Sequence, residues 1–169
     1  MYKLYYDESA GIITVENENG YSEILADSYS SEPKFSPDGT KAIYITPLEW
    51  EHDSQLYLFD LKTGDRKEIK LDIDIEKEKA KDAIWLNESI LLIIIGGLHG
   101  TVNVGGDIYR YNFEDGNLVK VIDCRSEKKQ AMKLNQVDEF LSYEVLEYID
   151  DILNQYIMRK EKVLLQSII

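Results

Sequence analysis

At 169 residues the chain is long enough for one domain that buries roughly two thirds of its unfolded surface, and its 44% hydrophobic content with 10 glycines and 3 prolines excludes a low-complexity or disordered chain. With 32 acidic against 19 basic residues, the net charge of −13 repels phosphate backbones and anionic lipid. Nucleic acid and membrane are therefore not expected as partners, and cations, basic peptides or neutral ligands are the easier ones. The lone Cys124 excludes an intramolecular disulfide and a cysteine-based zinc site.

The chain opens Met1-Tyr2-Lys3-Leu4-Tyr5-Tyr6-Asp7-Glu8, which has neither the basic nor the apolar region of a secretory leader. The longest aliphatic run, Leu91 to Ile95, falls far short of the about 20 residues that span a bilayer. A cytoplasmic protein is the expectation, exported only if a leader has been removed. Alternation of apolar and polar residues then predicts strands at Tyr2 to Asp7, Ile12 to Glu16 and Tyr21 to Leu25. A hairpin follows at Pro33 to Ile43 around Asp38-Gly39, and another at Leu56 to Arg66 around Thr63-Gly64. The stretch Asp72 to Asp82 reads as a solvated connection; its alternating Asp72, Asp74 and Glu76 carry oxygen ligands, but flanking lysines and a missing glycine turn spoil a calcium loop.

Ala83 to Ile93 aligns without a gap on Pro33 to Ile43 and sets Trp85 on Phe35. The glycine-rich stretch Gly96 to Gly106 lacks the endings of a phosphate loop and predicts a long flexible hairpin. A further hairpin lies at Ile108 to Leu118, and Ala131 to Tyr143 repeats the Phe35 pattern with Lys133 at the aromatic position. The last unit is expected to close with an outer hairpin of Asn154 to Met158 and Lys162 to Leu165. A helix over the last forty residues is the competing reading, from three- and four-residue spacings among Phe140, Tyr143, Leu146, Ile149 and Leu153.

Gly20, Gly64 and Gly116 fall at equivalent turns, 44 and 52 residues apart, which is the spacing of a propeller blade or similar repeat. The segment Phe35-Ser36-Pro37-Asp38-Gly39-Thr40-Lys41, the apolar strand Ala42 to Thr46 and then Leu56-Tyr57-Leu58-Phe59-Asp60-Leu61-Lys62-Thr63-Gly64 resemble the WD-repeat-like motif of TolB-type β-propellers. The resemblance implies an all-β domain, a small propeller of about four blades, each a four-stranded antiparallel sheet, and implies no activity. The repeats fall approximately at 1–31, 32–80, 81–125 and 126–169 of one domain. Fifteen strands are expected, because the first unit lacks one. Either the ring closes, or the chain dimerises or forms an open array, so that monomer and homodimer are both open.

In such a blade the loops joining second to third strands share one face. They contain both histidines of the chain, and they set Trp50, Glu51, His52, Asp53, His99, Tyr148, Asp150 and Asp151 on that face as candidate ligand-binding residues. Aromatic rings there stack on a ligand while carboxylates and imidazoles fix its polar groups. No nucleophile motif and no metal-ligand spacing accompanies them, so neither a catalytic residue nor a cofactor is assigned. The leading expectation is a noncatalytic binding or scaffold module for a protein, peptide or small molecule. The alternative is a hydrolase of a glycan or related substrate, with carboxylates and a histidine meeting at the axial mouth.

Overall fold

The computed structural model describes residues 1–27, 29–126 and 128–169. Its strands are β1 (Lys3–Asp7), β2 (Ile12–Glu16), β3 (Ser22–Ala26), β4 (Lys34–Phe35), β5 (Lys41–Thr46), β6 (Gln55–Asp60), β7 (Arg66–Ile69), β8 (Glu78–Trp85), β9 (Ile90–Gly97), β10 (Asp107–Asn112), β11 (Leu118–Ile122), β12 (Lys129–Val137), β13 (Phe140–Tyr148) and β14 (Tyr156–Leu164), followed by a short 3-10 turn over Leu165–Ser167. They form four antiparallel sheets in chain order: β1-β2-β3, β4-β5-β6-β7, β8-β9-β10-β11 and β12-β13-β14. The three glycines that mark the repeat all adopt left-handed backbone at hairpin turns, with φ of 76° at Gly20, 81° at Gly64 and 69° at Gly116.

Side chains alternate across each strand, so a strand with neighbours on both faces must be apolar at every position. β9 meets that condition. Leu91, Ile93 and Ile95 pack toward the second sheet with Ile43, Ile45 and Leu56. Leu92 and Ile94 pack toward the fourth with Leu141, Tyr143 and Val145. The first sheet joins the second through Ile13, Val15, Tyr44 and Phe59. Hydrophobic clusters thus tie first to second, second to third and third to fourth, and none among the described residues spans the fourth and the first.

Four points differ from, or go beyond, the sequence expectations. The last unit has no outer hairpin: Arg159-Lys160-Glu161 lies inside one nine-residue strand, β14, in unbroken register with β13 from Phe140 opposite Leu164 to Tyr148 opposite Tyr156. Among the described residues there are fourteen strands instead of fifteen. The second half of the acidic stretch 72–82 is the start of β8, not a solvated connection; Lys79 is 5% exposed, and the Asp82 carboxylate accepts from the Ala83 and Leu134 N–H groups. The third point goes beyond the alignment: Phe35 and Trp85 stand at equivalent positions and are 50% and 6% exposed. β4 holds only two residues and leaves Phe35 at the surface, whereas Trp85 stacks on Phe113 and donates to the Lys34 carbonyl. The fourth point concerns the glycine-rich loop. A Cβ on Gly96 would stand 1.8 Å from the Gly105 carbonyl oxygen, and one on Gly106 would stand 1.9 Å from that of Ile95. Gly96 and Gly106 are therefore required by close backbone packing, whereas Gly100, at φ 93°, takes the left-handed backbone of a tight bend.

Candidate binding face

The loop between β5 and β6 is built on a buried cation. Lys79 on β8 donates through its ammonium to the Glu49 carbonyl at 2.7 Å and the His52 carbonyl at 2.9 Å, spending its charge on pinning the loop from below. Burial holds the Lys79 amine below its ordinary range, with Asp53 opposing the shift. Two further ties fix the loop: Ser54 Oγ donates to the Pro47 carbonyl at 2.6 Å, and the Glu51 carboxylate accepts from the Gly100 N–H at 3.0 Å. Glu51 sits at φ 55°, a left-handed conformation uncommon for a non-glycine residue, and that bond crosses to the neighbouring loop. Trp50 stands at the crest, 64% exposed.

The loop between β9 and β10 is held in the same way. Lys81 donates to the Asn103 carbonyl at 2.6 Å, and burial pulls its amine down to about 8. Gln130 on β12 clamps the far end, accepting from the Gly105 N–H at 2.8 Å and donating to the Val102 carbonyl at 2.6 Å. Where the loop enters β10, the buried Asp107 carboxylate accepts from the Cys124 and Arg125 N–H groups and pairs with the Lys120 ammonium at 2.8 Å. Burial alone would raise this carboxyl; Lys120 and the two N–H donors outweigh it and hold it below its ordinary value.

Between these loops lies a cleft of about 300 Å³, walled by Leu48, Glu49 and Trp50 on one side and Leu98, Asn103 and Val104 on the other, with Lys79 and Lys81 beneath. The β5–β6 loop also borders a second cleft, of about 360 Å³, where Asp53, Glu68 and Glu78 stand among Leu56, Ile69, Ile73 and Ile75. Of the eight residues expected from the sequence, the structure joins the loops of Trp50, Glu51, His52 and His99 directly, through the bond from Gly100 to Glu51. His52 faces Glu49, 3.6 Å away, with 67% of its side chain exposed. Asp53 borders the second cleft.

The fourth loop contributes differently. Tyr148 is buried at 7% exposed, its hydroxyl 3.5 Å from the Val102 carbonyl, and its ring packs edge-on against Tyr156. Asp150 turns inward to accept from the Asn154 and Gln155 N–H groups, and Asp151 pairs with Lys128 at 2.6 Å. Lys79 and Lys81, which set both loops, were not singled out by the sequence. Their signal was only the single Ala80 between Lys79 and Lys81, masked by a charge-rich neighbourhood.

A separate cleft of about 270 Å³ lies among β4, β5, β8 and β12, where Glu32, Lys34, Asp82 and Lys133 meet. Neither histidine borders it, so the acid-and-histidine mouth expected of a hydrolase does not assemble there. Among the described residues no three His, Cys, Asp or Glu side chains gather as a metal site.

Residues 49–165 match the family described as a domain of unknown function, DUF4652. Among solved structures the chain is similar to a candidate conserved lipoprotein from Clostridium novyi NT, at 25% identity and TM-score 0.72 over 80% of this chain and 86% of that one. It is also similar in fold to a prolyl endopeptidase, at 10% identity and TM-score 0.62 over 98% of this chain; the chain spans 25% of that protein. The β-propeller domain of the trilobed protease from Pyrococcus furiosus aligns at 16% identity and TM-score 0.49 over 95% of this chain and 52% of that one, a likeness too slight to bear on the fold. No curated protein matches the sequence. No helix among the described residues is long and apolar enough to cross a membrane, and the likeness to a lipoprotein leaves the expected cytoplasmic location without support.

Proposed function

The chain belongs to the DUF4652 family, and from that premise we propose that it is a noncatalytic binding module whose β5–β6 and β9–β10 loops recognise a basic peptide. One observation carries the reading: an indole 64% exposed stands at the crest of a loop that is pinned from below and flanked by Glu49, Glu51 and Asp53. An exposed indole is a favourable partner for a guanidinium or ammonium group, worth about 0.5–1 kcal/mol at a solvated site and more when covered. Carboxylates of the second cleft, Asp53 and Glu68, then take the next basic side chain while its apolar lining accepts the stem. The net charge of −13 steers such a ligand from solution. Ties already made in the free protein reduce the ordering cost of binding.

The four consecutive sheets are, in this reading, four propeller blades, with the binding loops at one end of them. The likeness to a lipoprotein supports display outside the cytoplasmic membrane as the setting.

Calorimetric titration with a short capped peptide of alternating arginine and glycine tests the proposal. Saturable binding is expected, weakening as salt rises and falling at least about fivefold in Trp50→Ala, which is about 1 kcal/mol. Equal binding of a glutamate-glycine peptide, or no effect of Trp50→Ala, contradicts it.

A further inference from the structure

The second and third sheets each end in a fourth, outer strand, β7 or β11, whereas the fourth sheet ends at β14. β14 is nine residues long and exposed over most of its length, with Tyr156 57%, Met158 45% and Leu164 48% exposed, and no strand lies beyond it among the described residues. Two bonds fix which of its backbone groups face outward. The Ile149 N–H donates to the Gln155 carbonyl, and the Leu165 N–H donates to the Glu139 carbonyl, both at 2.9 Å and both in the β13–β14 register. Hydrogen-bonded pairs alternate along an antiparallel ladder. The odd-numbered residues of β14 therefore bond to β13, and Tyr156, Met158, Lys160, Lys162 and Leu164 present their N–H groups to the open edge.

We propose that a second copy of this chain fills that edge, β14 pairing antiparallel with β14 across a two-fold axis at Lys160. The parity of the outward groups admits only registers that pair even residues with even. Among these, centring on Lys160 places Arg159 opposite the partner's Glu161 twice, in the close non-hydrogen-bonded pairs, and Ile157 opposite the partner's Val163 twice. Shifting the axis to residue 159 or 161 sets arginine against arginine or glutamate against glutamate. The Lys160 contact on the axis is the one like-charge pair. Glu144 lies in register beside Lys160 on β13, so each lysine keeps a carboxylate neighbour within its own sheet. Sheet edges left open are templates for such pairing, and a two-fold closes it without leaving a further edge to extend.

Sedimentation velocity of the whole protein, combined with single cysteines on β14, decides the matter. The wild type is expected to sediment as a dimer at tens of micromolar. Lys160→Cys is expected to give a disulfide-linked dimer on mild oxidation, since Cα atoms in a hydrogen-bonded antiparallel pair lie about 5.5 Å apart. Lys162→Cys, opposite the partner's Met158, is expected to give none. Lys160→Pro removes an outward N–H together with the exposed lysine side chain, leaves the bonds to β13 in place, and is expected to yield a folded monomer, checked by circular dichroism. A monomeric wild type, or cross-linking of Lys162→Cys as readily as Lys160→Cys, overturns the proposal, including the case in which a foreign peptide occupies the edge instead.

Discussion

Asp107 shows how one side chain holds the candidate face. Its carboxylate is buried, accepts from two backbone N–H groups of the β11–β12 connection and pairs with Lys120, while Arg125 bridges onward to Glu78 at 3.0 Å. Removing one partner of a buried pair strands the others, so Asp107→Asn is expected to destabilise by about 3 kcal/mol at pH 7. The pH dependence has a definite sign. A carboxyl held below its ordinary 3.8 in the folded state stabilises fully above that value and loses its contribution as pH falls through the folded pKa. Urea denaturation from pH 7 to pH 2 should show the wild-type advantage over Asp107→Asn narrowing below about pH 4. Little of this was legible in the sequence, because Asp107 is one of 32 acidic residues and its partners lie 13 to 18 positions away. The glycines beside it were visible as a cluster, but flexibility and close packing leave the same letters.

The strands divide into those whose pattern speaks for them and those overruled by their surroundings. Phe35 to Thr46 and Leu56 to Gly64 were readable because turn glycines at fixed offsets flank alternating or fully apolar runs. β8 was hidden because Glu78, Lys79, Lys81 and Asp82 look solvated, yet Lys79 and Lys81 find backbone carbonyls and Asp82 finds N–H groups, which makes their burial tolerable. β14 was read as a hairpin because Arg159-Lys160-Glu161 is polar enough for a turn. With no strand beyond it among the described residues, an edge tolerates those charges. The two tryptophans separate the same way. Trp85→Ala removes a ring stacked 5.4 Å from Phe113 and a bond to Lys34, and thermal denaturation should register a loss of about 3–5 kcal/mol. Trp50→Ala should stay within about 0.5 kcal/mol of wild type, since its ring is largely in solvent.

At the scale of the molecule, four sheets packed in chain order deliver the β5–β6 and β9–β10 loops to each other, and charge does the rest. The repeat spacing sets Trp50, His52 and His99 on loops at equivalent places in adjacent sheets, and the bond from Gly100 to Glu51 joins those loops. In the fourth sheet's loop, Tyr148 bonds to the Val102 carbonyl, Asp150 accepts from the Asn154 N–H and Asp151 pairs with Lys128. An acidic surface, an exposed indole and two clefts flanking one rigid loop together make basic-peptide recognition the central claim. Its most direct measurement is an amide and indole N–H chemical-shift map of the labelled protein titrated with the arginine-glycine peptide. The Trp50 indole and the Gly100 amide are predicted to shift together and saturate while the Trp85 indole stays still. Shifts confined to Lys34, Asp82 and Lys133 of the inner cleft, with Trp50 unmoved, would contradict the account.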